Sequence, residues 1–213
     1  MSVIYLSGCI RPAMPPFLGV MLEAYDRHRI DLTARIWAAD NGCFTAGEGF
    51  QYDRFRAWLS GYLAVRETCL FVTAPDVLGD AAATLHRSRE PLSDLRSLGF
   101  RTALVAQDGL TPTATPWGTF DVLFIGGSTR WKLSEAVREL VAQARGRGVW
   151  VHMGRVNSYR RLRLADHWGV GSVDGTYLAF RARRNGHGQA RGPAEVERWL
   201  ALVEAQPCLP LAV

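Results

Sequence analysis

Three apolar runs of this chain stop on polar, proton-carrying groups. "IWAADNGCF" (36–44) breaks at Asp40, "LFVTAPD" (70–76) at Asp76, and "ALVAQDG" (103–109) at Gln107 and Asp108. Further runs end on Gly126 and Gly127, on Gly154, and on Asp174. Any single aspartate after a strand can serve as the cap of a following helix. Repetition at the ends of separate runs points instead to a shared site. Paired carboxylates suit glycosyl transfer, in which one attacks the anomeric carbon and the other exchanges a proton with the leaving group. The remaining carboxylate and amide groups suit a guanine-like edge, with Asp accepting from ring N–H and amine groups while Gln or a backbone N–H donates to a carbonyl. A Gly-Gly turn lets the backbone approach a flat ligand. Histidines are scattered (His86, His152, His167, His187) with no H-x-H or H-E-x-x-H spacing, so neither metal nor cofactor is expected.

The elements that must position these groups follow from the pattern. Apolar, β-branched runs recur at 3–8, 34–40, 69–76, 101–108, 121–127, 148–154 and 170–178, as in strands buried on both faces of a parallel sheet. Helix-like segments lie between them at 52–65, 79–98, 134–146 and 159–168, and a last one at 194–205 follows Pro193. Gly99, Gly146 and Gly169 stand where left-handed caps are expected. Seven such units predict a compact α/β fold, a TIM-type (β/α) barrel with an irregular or missing eighth unit, spanning 1–213 as one domain. An open doubly wound sheet is the alternative, weakened because no G-x-G-x-x-G follows the first run. In a barrel, the strand-end residues converge at the C-terminal mouth.

With 213 residues, 48% of them hydrophobic, the chain can bury one good core. No run of about 18 apolar residues suggests a membrane span, and no basic segment precedes the short apolar start, so a cytoplasmic protein is expected. Cysteines at 9, 43, 69 and 208 lack C-x-x-C spacing and read as reduced thiols. The net charge is +5, and Lys132 is the only lysine. GC-rich codon usage accounts for such an arginine bias; the positions of the arginines say more. Arg155, Arg160, Arg161 and Arg163 follow the sixth run, and Arg181, Arg183, Arg184 and Arg191 follow the seventh. Both groups suit a phosphate backbone crossing the mouth, although 160–163 also reads as a solvated helix face. Trp117 and Trp131 fall in loops, where they are candidates for stacking on a base.

"DNGCF" (40–44) resembles the D-S-G-G-F/Y-Q signature of the tRNA-guanine transglycosylases, which are (β/α) barrels. "LVAQDG" (104–109) is similar to their V-V-Q-G-G segment, and "FIGGSTRWK" (124–132) to their G-G-L-A-V-G-E loop. "VHMGRVNS" (151–158) is similar to L-M-G-V-G-T-P, and "VDGTYL" (173–178) stands in place of F-D-C-V. The resemblance covers roughly residues 34–180. It implies that Asp174 is the nucleophile and Asp40 the acid/base. It also implies that Asp76 and Gln107 bind the heterocycle edge, that the Gly126–Gly127 backbone meets the base, and that Asn41 and Phe44 flank the substrate. The family's zinc site, three cysteines and a histidine, has no counterpart in this sequence, and the chain is far shorter than the tRNA enzymes. Short relatives that insert 7-deazaguanines into DNA in phages and bacteria resemble it most. The resemblance thus implies DNA and a 7-deazaguanine base as partners, with tRNA or a nucleoside as alternatives, and pairing into a homodimer or with partner proteins. A 7-deazapurine-binding protein without turnover is the reading from another class.

Overall fold

The computed structural model describes residues 3–8, 17–24, 31–177, 198–199 and 201. Eight short strands form a closed parallel barrel in chain order: β1 (Ile4–Ser7), β2 (Gly19–Glu23), β3 (Trp37–Asp40), β4 (Cys69–Thr73), β5 (Thr102–Ala106), β6 (Val122–Ile125), β7 (Trp150–Met153) and β8 (Ser172–Gly175). β8 closes on β1, pairing Ile4 with Ser172 through Ser7 with Gly175. The TIM-type barrel is therefore the fold, and the open-sheet alternative falls.

One expectation needs correction. The eighth strand is neither missing nor irregular at the end of the chain; it is β2, between the first two expected runs. Its sequence, "GVMLE", follows the proline-rich stretch 12–16, which hides it from a periodicity reading. Gly19 opens it because a side chain there would strike Leu6 of β1.

Helices wrap the barrel: α1 (Cys43–Ala46), α2 (Tyr52–Ser60), α3 (Ala81–Ser97), α4 (Thr129–Lys132), α5 (Glu135–Gly146) and α6 (Tyr159–Trp168). α5 turns an apolar stripe inward, Val137, Leu140, Val141 and Ala144, all buried, while the buried face of α3 mixes Thr84 and Ser88 with Leu92 and Leu95. Leu133, which also fits that spacing, lies before the helix and is exposed. α2 ends at Ser60, earlier than its pattern suggests, and passes into a 3₁₀ segment over Leu63–Thr68. Gly169 caps α6 in the left-handed conformation, and Gly99 takes a positive φ just beyond α3. Gly146 does not: it stays helical, and Gly148 makes the left-handed turn. The expected helix at 194–205 lies largely outside the described residues.

The barrel interior is filled from below by Ile4, Leu6, Met21, Ala38, Leu70, Phe71, Ala103 and Val122. Full burial of a side chain such as Leu70 or Phe71 is worth about 1.5–3 kcal/mol. Above that apolar plug the inward-facing residues become polar, and there the strands end.

Candidate active site

A cavity of about 370 Å³ opens at the C-terminal mouth of the barrel. Of the strand-end residues, Asp40, Asp76, Gln107, Gly126, Gly127, Gly154 and Asp174 all line it, and Asp108 does not. Its volume falls within the range of about 300–1,000 Å³ typical of small-molecule sites. Met21, Val105 and Phe124 supply apolar wall, while Phe44 and Leu78, both exposed, stand at the rim.

Asp76 is held from both sides. Asn41 Nδ2 donates to its Oδ1 at 3.1 Å, and Gln107 Nε2 to its Oδ2 at 2.5 Å. Burial pushes the Asp76 carboxyl above its ordinary range, against the pull of these two amide donors. Gln107 is committed at its other end too, since its Oε1 accepts from the Gly79 N–H at 2.9 Å. Asn41 is buried and does not line the cavity, which corrects its expected place among substrate contacts. Its Oδ1 accepts from the Cys43 N–H at 2.6 Å and its Nδ2 also reaches the Ala74 carbonyl at 2.9 Å, so it ties the β3 end to the β4 end. The backbone N–H of Asn41 in turn donates to Thr73 Oγ1 at 2.8 Å.

Asp40 ends β3 and faces the cavity. Burial, reinforced by the nearby carboxylates of Asp76 and Asp174, raises its pKa to about 7. The N-cap of α1 is Gly42, with φ 73° and no side-chain cap, so Asp40 is not the capping residue; its Oδ1 accepts one N–H, from Gly42, at 3.3 Å. Glu23, at the end of β2, brings a further carboxylate to the lining and accepts from Thr45 Oγ1. The sequence reading missed it along with its strand, although "GVMLE" carries the same signature of an apolar run ending on an acid.

Asp174 enters from β8. Its Oδ1 lies 3.0 Å from His152 Nε2, and its Oδ2 accepts from the Arg155 N–H at 3.3 Å. His152 is completely buried against the Phe71 and Phe124 rings at centroid distances of 4.8 and 4.5 Å, and burial lowers its pKa. Gly154 leaves the room this arrangement needs: a Cβ there would sit 2.7 Å from Phe124 and 3.2 Å from Asp174 Oδ1. Lys132 is also buried, and its Nζ donates to the Gly154 carbonyl at 2.5 Å. Burial first, and the Arg155 charge second, lower its pKa to about 7. Neither His152 nor Lys132 was marked by motif spacing, because each reaches the site from one isolated position.

Gly126 and Gly127 are buried in the wall as expected. A Cβ on Gly126 would lie 2.8 Å from Val105 and 3.2 Å from Gln107 Nε2, so only bare backbone fits. Trp131 packs against Gly127, while Trp117 donates from Nε1 to the Pro112 carbonyl at 2.9 Å; neither lines the cavity, which corrects the expectation of base stacking. Asp108 points away from chemistry and accepts from the Ser128 backbone and hydroxyl, pinning the glycine turn.

Of the expected nucleic-acid arginines, Arg155 lines the cavity, with a left-handed backbone (φ 57°) and its guanidinium donating to the Gly127 carbonyl. Arg161 stands beside it, donating to the Arg155 carbonyl at 3.3 Å, and Arg160 is exposed in the first turn of α6. Arg181, Arg183 and Arg184 lie outside the described residues. Among the described residues no cluster of His, Cys, Asp and Glu has metal-holding geometry, the free cysteines Cys43 and Cys69 are buried, and no helix is long and apolar enough to cross a membrane.

No family model matches the chain, and no curated protein matches it. Solved structures similar to this chain include two in complex with c-di-GMP. The PaMucR phosphodiesterase in complex with c-di-GMP shares 13% identity at TM-score 0.45, over 76% of this chain and 64% of that one. The Bacillus subtilis YkuI protein, with an EAL domain and in complex with c-di-GMP and calcium, shares 16% at TM-score 0.45, over 83% of this chain and 43% of that one. This chain spans less than two thirds of the length of either. Likeness at that level extends to neither activity nor ligand.

Proposed function

We propose that the chain is a guanine transglycosylase-like enzyme that exchanges guanine in DNA for a 7-deazaguanine. The observation that carries this reading is the pair Asp40 and Asp174: two carboxylates on one cavity, set in different environments. Such separation is how a site assigns acid/base and nucleophilic roles to two like groups. Asp174, which accepts from the Arg155 N–H and faces His152 Nε2, attacks the anomeric carbon. The C1′–N9 bond breaks, its electron pair leaves with guanine, and Asp40 in its acid form supplies the proton. An incoming 7-deazaguanine then loses its N9 proton to Asp40, and its nitrogen attacks the same carbon. The ester bond breaks, and Asp174 returns as a carboxylate. No net proton is consumed.

Asp76 suits the ring N–H and amine edge of the base, held rigid by Asn41 and Gln107. The Gly126–Gly127 backbone forms the flat wall. Arg155 at the mouth, with Arg160 and Arg161 on the adjoining helix, suits a phosphate backbone and favours DNA over a free nucleoside as substrate.

Incubation of the protein with duplex and single-stranded DNA and labelled 7-cyano- or 7-aminomethyl-7-deazaguanine tests the reading. Label is expected to enter DNA with the wild-type chain and not with Asp174→Ala. Binding of the free base without incorporation into DNA, RNA or nucleoside would leave a base-binding protein; salt-independent exchange on nucleosides would remove DNA as the substrate.

A further inference from the structure

Among the described residues His152 is the one buried imidazole in contact with the site, and the reaction above gives it no task. Its two ring nitrogens are both engaged. Nε2 faces Asp174 Oδ1 at 3.0 Å; Nδ1 faces Ser172 Oγ at 2.9 Å, and the same Ser172 Oγ accepts from Trp150 Nε1 at 2.9 Å. An indole N–H can only donate, so Ser172 has its own hydroxyl proton left to give. Given to Nδ1, that proton leaves Nδ1 bare and puts the imidazole proton on Nε2. The reverse tautomer would set a bare nitrogen against a carboxylate and turn two N–H groups onto one hydroxyl oxygen.

We propose that His152 is a positioning residue for Asp174: a neutral imidazole, protonated on Nε2 and locked in that form by Ser172 and Trp150, which orients the carboxylate. That orientation serves attack on the anomeric carbon only if the transglycosylase reading holds; the pairing and the tautomer stand without it. The charged groups acting on the ring are Asp174 and Lys132, of opposite effect, and burial tips the balance to the neutral form. Phe71 and Phe124, themselves in edge contact, pack against the imidazole and limit its rotation. With Oδ1 tied to His152 and Oδ2 to the Arg155 N–H, the carboxylate is fixed as a plane. Ester formation discharges the carboxylate and weakens this N–H bond, so the same donor favours the return of Asp174 as a leaving group in the second half of the exchange.

Nitrogen-15 spectra of histidine-labelled full-length protein read the tautomer directly, with the His152 signal identified by its loss in His152→Gln. At neutral pH, a protonated Nε2 and a bare Nδ1 are expected; an imidazolium or the reverse tautomer overturns the proposal. In the exchange assay, His152→Leu is expected to lower kcat about 100-fold with KM within about threefold. His152→Gln, whose amide nitrogen reaches the place of Nε2, is expected to recover to within about tenfold of wild type. Equal loss in both variants, with both folded, overturns the positioning role. Should His152→Leu fail to fold, the Gln variant and the spectrum still decide. A wild-type chain without exchange activity sinks the transglycosylase reading, and the spectrum alone then decides the pairing.

Discussion

Gln107 Nε2 donates to Asp76 Oδ2 at 2.5 Å, and through its Oε1 the same side chain holds the Gly79 N–H. One buried amide therefore fixes both the carboxylate and the loop that follows β4. Gln107→Leu leaves two polar groups unpaired, at a cost of about 1–3 kcal/mol for each such group. The variant is expected to melt below wild type and to bind 7-deazaguanine at least about tenfold more weakly by calorimetry. Unchanged affinity in a folded variant would take Asp76 away from the base edge.

Asp40 gives a prediction with a definite pH sign. Its folded pKa, about 7, lies above the ordinary 3.8, so the stability it contributes is fully present below about 3.8 and is lost as pH rises through 7. Asp40→Asn keeps the shape and removes that loss. At pH 8 the variant is expected to melt at or above the wild-type temperature, while base exchange falls by about 10²–10⁴-fold. A variant that melts lower and still exchanges at the wild-type rate would make Asp40 a structural group.

Lys132 titrates with the opposite sign. Its folded pKa, about 7, lies below the ordinary 10.5, so its contribution to stability is fully present above 10.5 and is lost as pH falls through 7. The melting temperature of wild type relative to Lys132→Met is expected to rise between pH 6 and pH 9. A difference that stays flat over that range would mean that Lys132 keeps its charge at no cost in the folded state.

Much of this site was legible because strand-end position is a property of sequence. Asp40, Asp76, Gln107 and Asp174 each follow an apolar run, and a closed parallel barrel brings such ends together whatever the loops do. Two kinds of residue were hidden. Glu23 belongs to a strand that closely follows a proline-rich segment, which masks its apolar run. His152 and Lys132 act through pairings 22 residues away in the chain, and nothing local in the sequence records such partners. Phe44 illustrates the reverse limit: its position after the Asp40 turn was readable, and its exposure at the rim was not.

The glycosyl bond to Asp174 is the centre of the proposed chemistry, and mass mapping of a trapped adduct tests it most directly. Protein is mixed with short DNA, quenched in denaturant during turnover, digested and searched for a deoxyribosyl-linked peptide. The expected result is a single adduct on the peptide carrying Asp174, absent in Asp174→Asn, with exchange abolished in the same variant. An adduct on another residue, or exchange by Asp174→Asn at the wild-type rate, would contradict it.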